Sequence, residues 1–427
     1  MMLALLLTAA TATGTASSGQ QVTPPDPGPW NPPAEAVGPA GWRMKSDDET
    51  AAVVPFPIAW NSPWPAAGSC QSEGIPSDAL SRFGILANAA NALNGDAVTI
   101  LYNHPGEYSI GDWPSLWPNG TVYANGGIPQ AANLTRHLAQ VRADIERLFP
   151  SPDHAGIVSI DWEVWSPWLD PRDTSAYATQ SFNRAGGDKA AAVAAWNASS
   201  LEFLVRTLEV AKQMRPHARW AYYGMVGCAA KWDVATGRCA DEIRQRNDAL
   251  APLWSAGTAL MPSIYSECAY GPGAGGALPL RCAPGGPPGP WDPYPPSANS
   301  TEAQRIPISL GEAARVNTAG LPVIPFTWPV LYTQHCAKAP PVGLGHCPLM
   351  HLAADLDAEF RLAKTHGASG LIVWGSSSDV RNKDDCAEFS RYVNTTLGPL
   401  LQSLIVPHSA PTPLAIKSDD KAPAFPC

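Results

Sequence analysis

Seven short apolar runs recur along the chain, separated by segments with helical periodicity. The runs are 53–60 (VVPFPIAW), 97–102 (AVTILY), 156–161 (GIVSID), 219–224 (RWAYYG), 258–265 (TALMPSIY), 321–328 (LPVIPFTW) and 370–375 (GLIVWG). They are continuously apolar and rich in β-branched or aromatic residues, as expected of strands covered on both faces. The clearest helical pattern lies over 129–148, with a proline at its start; others cover about 78–93, 190–214, 302–319, 351–367 and 384–402. Strand alternating with helix seven times predicts an α/β protein with a parallel sheet. At this length the sheet is expected to close into a seven-stranded, TIM-like (β/α) barrel over 51–404. A doubly wound open sheet is the alternative. No G-x-G-x-x-G follows the first run, which disfavours a dinucleotide fold.

The ends of the chain read differently. Residues 1–18 have the apolar stretch and small residues of a signal peptide, with cleavage near Ala16, although the usual positive start is missing and a disordered N-terminus is the other reading. A Pro/Gly-rich arm follows over 19–50, and a Pro-rich extended tail occupies 405–427. A Gly/Pro-rich insertion, 268–300, falls between the fifth run and the next helix. No other apolar run reaches the ~20 residues of a membrane span. A net charge of -9 and the lack of a basic stripe argue against nucleic acid.

Five N-x-S/T sequons (Asn119, Asn133, Asn197, Asn299, Asn394) and nine cysteines support a secretory route, to the outside or to a lysosomal or vacuolar lumen. Local spacing suggests Cys268–Cys282 and Cys336–Cys347, with Cys427 left over. None of the cysteines has CxxC spacing or a histidine cluster beside it, so no metal site is expected.

Candidate chemistry concentrates at the ends of the runs. Asp161 and Glu163 close the third run, two apart, so on a strand they point the same way. Crowded carboxyls in an apolar setting hold one another's protons, and a protonated acid beside an ionised one suits glycoside cleavage. From D-x-E alone, a helix N-cap by Asp161 with Glu163 in the first turn is the favoured reading, and it is the other strand ends that shift the balance. Tyr222 and Tyr223 end the fourth run, Tyr265 the fifth and Trp374 the seventh, which would wall an acidic cleft with rings. The sixteen tryptophans exceed usual packing needs, and flat indoles suit sugar faces.

The pieces IDWEVW, NGTVYANGGIPQAANLTRHL (119–138), RPHARWAYYG (215–224), PSIY (262–265) and GASGLIVWGSSSD…CAEFSRYVNTTLGP (367–399) resemble the hyaluronidase family of glycoside hydrolases, over about residues 54–402. The resemblance implies a distorted (β/α) barrel and cleavage of a glycosaminoglycan at an N-acetylhexosamine bond without an enzyme nucleophile. Glu163 would be the acid/base, with Asp161 and Tyr265 positioning the substrate's acetamido group. Tyr223, Trp374, Tyr108 and Trp162 would line the site. It also implies the bridges Cys70–Cys386 and Cys228–Cys239, a monomer, and no cofactor. Three positions depart from the family pattern. Ser166 stands where most members have Arg after D-W-E-x-W, Gly227 and Ala229 flank Cys228 in place of an Asp-Cys-Tyr run, and Trp328 stands where Arg is frequent. These leave open hyaluronan against chondroitin; a non-catalytic sugar-binding relative is the reading from another class.

Overall fold

Six strands carry the fold: β1 (Ile58–Asn61), β2 (Val98–Tyr102), β3 (Ile157–Asp161), β4 (Arg219–Tyr222), β5 (Phe326–Thr327) and β6 (Leu371–Trp374). All pair in parallel, in the orders β2–β3–β4 and β5–β6–β1. Single parallel bridges at Tyr223/Met261, Leu260/Val323 and Ser263/Phe326 join the two sheets through residues 260–263. This computed structural model describes residues 42–43, 53–54, 56–76, 78–102, 106–228, 232–233, 236–265, 302–330, 350, 353–377 and 379–405. The expected signal peptide, most of the arm, the insertion 268–300 with Cys268–Cys282, the Cys336–Cys347 pair, Asn299 and the tail with Cys427 lie outside the described residues.

The strands sort their side chains by parity. Ala59, Val98, Ile100, Ile157, Ala221, Met261, Ile324, Phe326 and Ile372 form one buried cluster on one face. Their neighbours Ile58, Trp60, Leu101, Val158, Ile160, Trp220, Leu371 and Val373 join a second, larger cluster on the other face. That face is covered by helices, among them α1 (Leu134–Leu148) and α2 (Lys189–Met214). Both begin at a side-chain cap. Asn133 Oδ1 accepts from the Arg136 N–H and Asp188 Oδ1 from the Ala191 N–H, which satisfies amides the first turn would leave unpaired. Where they meet, His137 Nε2 lies 2.8 Å from Thr207 Oγ1, and burial lowers the imidazole to about 4, so it packs as a neutral ring.

Two segments differ from the periodicity reading. The first run splits: Val53–Val54 pairs antiparallel with Trp42–Arg43, inside the expected arm, and only Ile58–Asn61 enters the parallel sheet. Residues 78–93 form no α-helix, only single 3-10 turns at Ser81–Phe83 and Ala89–Asn91. Gly84 takes φ 74°, which ends the first turn. The Asn88 side chain then binds the N–H groups of Ala97 and Val98 and the carbonyls of Ala92 and Val98, so this stretch is held by β2 rather than by its own ladder.

Among the described residues two disulfides are formed. Cys228–Cys239 closes a short loop, and Cys70–Cys386 spans 316 residues, joining the turn after β1 to the helix α3 (Lys383–Tyr392). Both cysteines of the long bridge are fully buried. Restricting so long an unfolded loop is worth up to about 5 kcal/mol in the chain-entropy account, and about 2–4 kcal/mol is more usual. The Cys70→Ser/Cys386→Ser variant is therefore expected to unfold at distinctly lower denaturant concentration; an unchanged midpoint would remove this bridge from the stability account.

Candidate active site

Parity carries one side chain from the end of each of four strands, and one from beyond the 260–263 segment, to the same place. On the face that holds the smaller cluster, β2 ends in Tyr102, β3 in Asp161, and the continuation of β4 in Tyr223. The 260–263 segment leads into Tyr265, and β6 ends in Trp374. Tyr102 and Asp161 are register partners. Tyr223, Tyr265 and Trp374 pack on the cluster as its upper layer.

The rings touch in sequence. Tyr223 and Tyr265 lie 5.9 Å apart, Tyr265 stacks on Trp374 at 5.6 Å, and Trp328 meets Trp374 edge-on at 4.9 Å. The Trp374 indole lies near enough to the Tyr102 hydroxyl to offset part of the effect of its burial. The Tyr223 hydroxyl lies 3.4 Å from Ser263 Oγ. Burial raises Tyr102, Tyr223 and Tyr265 above the ordinary phenol range, and the charge of Asp161 adds to this in all three. All three therefore stay neutral O–H donors.

Asp161 is half-buried, and its Oδ1 has no hydrogen-bond partner among the described residues. Burial first, then the charge of Glu163, pushes its carboxyl up to about 7. Glu163 is exposed by surface area, yet enough protein surrounds its carboxyl to raise it by desolvation. Interacting carboxyls lose their protons as a pair, so the residue that holds the shared proton depends on what is bound beside them.

The indole of Trp162 takes the other parity, and the chain then turns so that Trp165 packs against it. Trp162 is 3% exposed and stacks on Trp113 at 4.3 Å, with Trp165 edge-on at 5.1 Å. The Trp165 indole N–H donates to the Pro114 carbonyl at 2.9 Å. This corrects the expectation that Trp162 faces a sugar. It is a packing residue that holds the strand end from behind, so that Asp161 and Glu163 project forward. Tyr108 likewise packs its ring against the larger cluster, while its carbonyl accepts the Tyr102 N–H at 2.9 Å. Tyr102, like Tyr223, is in electrostatic contact with both carboxylates. Tyr102 ends the run AVTILY as Tyr265 ends its own, so the same strand-end pattern marks it.

A third carboxylate lies behind the aromatic wall. Asp379 is fully buried; its Oδ2 accepts the Trp328 indole N–H at 2.8 Å and the Ser376 backbone N–H at 2.7 Å. Burial raises it to about 6. Trp328, expected as a lost cation, is thus a buried member of the wall, anchored from the loop that follows β6. Among the described residues no group of three or more His, Cys, Asp or Glu is arranged to hold a metal.

A carboxyl pair with raised pKa values, walled by neutral phenols and indoles at the C-terminal ends of parallel strands, is the arrangement of a glycoside hydrolase. Comparison with known proteins narrows the class. The hyaluronidase family model, glycoside hydrolase family 56, matches residues 46–272. The hyaluronidase of Apis mellifera is 27% identical over 400 residues, covering 87% of this chain and 90% of its own. Hyaluronidase-1 of Homo sapiens is 28% identical over 369 residues, covering 81% and 73%. The crystal structure of bee venom hyaluronidase in complex with a hyaluronic acid tetramer superposes with a TM-score of 0.62 at 26% identity, over 82% of this chain and 100% of that one. The chain belongs to the hyaluronidase family and is a hyaluronidase-type glycoside hydrolase.

Proposed function

We propose that this protein is a secreted or lumenal endo-β-N-acetylhexosaminidase. It cleaves the β-1,4 bonds of hyaluronan with retention of configuration, on a parallel barrel closed between β1 and β2. The observation that carries the reading is the coupled pair Asp161/Glu163 facing Tyr265 and Trp374. Glu163 donates its proton to the glycosidic oxygen as that bond breaks. The substrate's own acetamido oxygen attacks the anomeric carbon and closes a cyclic, positively charged intermediate. An attacking group already attached to the sugar reacts with a large effective molarity, so no enzyme nucleophile is needed. Asp161 and the Tyr265 hydroxyl hold the acetamido group. The positive charge developing there favours ionised Asp161 and leaves the shared proton on Glu163, the distribution the reaction requires. Glu163, now a carboxylate, takes a proton from the water that opens the ring. Two inversions at one carbon give retention.

The raised pKa values fix the sign of the pH dependence. Glu163 acts while protonated, so kcat is expected to fall as pH rises past its raised value and to be highest on the acid side of neutrality. A rate that keeps climbing into alkaline pH would exclude Glu163 as the acid. The substrate is tested by release of reducing ends from hyaluronan and from chondroitin side by side. Hyaluronan is expected to be the better substrate, and hydrolysis of chondroitin alone would reassign the polymer.

Ser166 bears on how the polymer is held. Its side chain is exposed, and its Oγ accepts the Trp168 N–H at 3.1 Å. Where most family members carry Arg, a guanidinium can bind a uronate carboxylate bidentately, and a charged hydrogen bond contributes about 1.5–3 kcal/mol. Ser166→Arg is therefore expected to lower the KM for hyaluronan several-fold with little change in kcat, the pattern of added uniform binding. An unchanged or higher KM would show that the uronate is held elsewhere.

A further inference from the structure

The longest stretch of exposed apolar surface among the described residues is a hairpin, Ser115–Leu116 with Val122–Ala124, that takes no part in the carboxylate site. Trp117, Val122 and Tyr123 are 51%, 54% and 44% exposed, and the Trp117 and Tyr123 rings meet edge-on at 4.4 Å. Leaving a tryptophan half in water costs apolar burial, so something that covers an indole face is expected there.

The turn itself names an occupant. It runs Trp117-Pro118-Asn119-Gly120-Thr121 and contains a sequon. The Gly120 N–H donates to the Trp117 carbonyl at 2.8 Å, which closes a type I turn with Pro118 at its preferred position. Gly120 then takes φ 83°, and the Trp117 N–H donates to the Thr121 carbonyl at 2.8 Å. This is a type I turn followed by a glycine bulge, a favoured three-residue hairpin loop. Trp117 and Thr121 thus face each other across the loop. The Asn119 carboxamide oxygen is held by the Thr121 N–H at 3.0 Å and the Thr121 hydroxyl at 2.8 Å. Asn119 is exposed, and no acceptor among the described residues engages its Nδ2.

The other described sequons are used differently. The Asn133 oxygen caps α1, the Asn197 oxygen holds the Leu169 N–H inside the α2 packing, and Asn394 bonds Arg82 within a helical turn. Asn119 alone among them sits at a hairpin tip beside an exposed indole.

We propose that Asn119 carries an N-linked glycan whose first N-acetylglucosamine stacks on Trp117 and locks this hairpin. The inference rests on the secretory-route reading. In the transfer, Asn119 Nδ2 bonds to the anomeric carbon of a lipid-linked oligosaccharide. The donor's diphosphate leaves with the bonding electrons and takes up the amide proton. The apolar face of the sugar then covers the indole, a contact available at little entropic cost because both partners are already fixed by the turn.

The test uses the full chain expressed through a eukaryotic secretory pathway, as wild type, Trp117→Ala and Asn119→Gln. Peptide mass mapping is expected to find the Asn119 peptide glycosylated in wild type. Trimming to the single first sugar should leave Tm unchanged. Amidase removal of that sugar should lower Tm by about 1–3 °C, the scale of one modest contact in a chain of this size. In Trp117→Ala the same removal should not change Tm, because the contact is already gone. Equal losses in both backgrounds would overturn the stacking. An unmodified Asn119 beside other glycosylated sequons would overturn the proposal and leave the secretory reading standing, whereas no modified sequon at all would remove both. A raised KM for hyaluronan in deglycosylated Trp117→Ala would assign the indole to the polymer and overturn the proposal as well.

Discussion

Glu163→Gln is expected to lose at least about 10³-fold in kcat while keeping its fold, the loss typical of removing a general acid together with its electrostatic role. The side chain is exposed and makes no hydrogen bond among the described residues, so an isosteric amide disturbs no packing. The glutamine can neither protonate the leaving oxygen nor accept the proton of the incoming water. Both halves of the reaction therefore slow, and KM should change little because the aromatic wall is intact. Circular dichroism and Tm serve as the fold control. Near-normal turnover in a folded Glu163→Gln protein would mean that another group donates the proton.

Asp161→Asn is expected to lower kcat by about 10²–10³-fold, because the acetamido group loses its charged partner as positive charge develops. The same variant should be more stable than wild type at neutral pH, which separates loss of chemistry from loss of fold. The sign follows from burial. A carboxyl raised to about 7 in the native state binds a proton more tightly there than in the unfolded chain, so stability falls as pH rises from the ordinary carboxyl range to about 7. The shift corresponds to at most about 4 kcal/mol. With solvent reaching the half-buried group and screening Glu163, a gain of about 1–2 kcal/mol is expected above neutrality. At acid pH, where Asp161 is protonated anyway, the two proteins should unfold alike. A destabilised Asp161→Asn at neutral pH would show that the carboxylate serves the fold.

Strand positions and their parity were legible because a buried parallel sheet writes continuous apolar runs, and a period of two then assigns every strand-end residue to a face. That rule separates Asp161 and Glu163 from Trp162 and finds Tyr223, Tyr265 and Trp374. Applied to AVTILY it also finds Tyr102. Trp162 was misplaced because proximity in sequence to the acids was weighed above parity. Asp379 left no trace in its own neighbourhood, since a loop carboxylate after three serines reads as solvated. Its meaning arises only from Trp328, 51 residues away in sequence. The missing helix over 78–93 has the same origin, because Asn88 is captured by β2, a tertiary bond that local propensity does not register.

The central claim is that the Asp161/Glu163 pair drives attack by the substrate's own acetamido group. The most direct measurement is a proton spectrum recorded during the first minutes of hydrolysis of a hyaluronan oligosaccharide, before the new reducing end equilibrates. The account predicts that the β-anomer of N-acetylglucosamine appears first, with the α-anomer growing in later by mutarotation. First appearance of the α-anomer would mean a single inversion by water, and would contradict it.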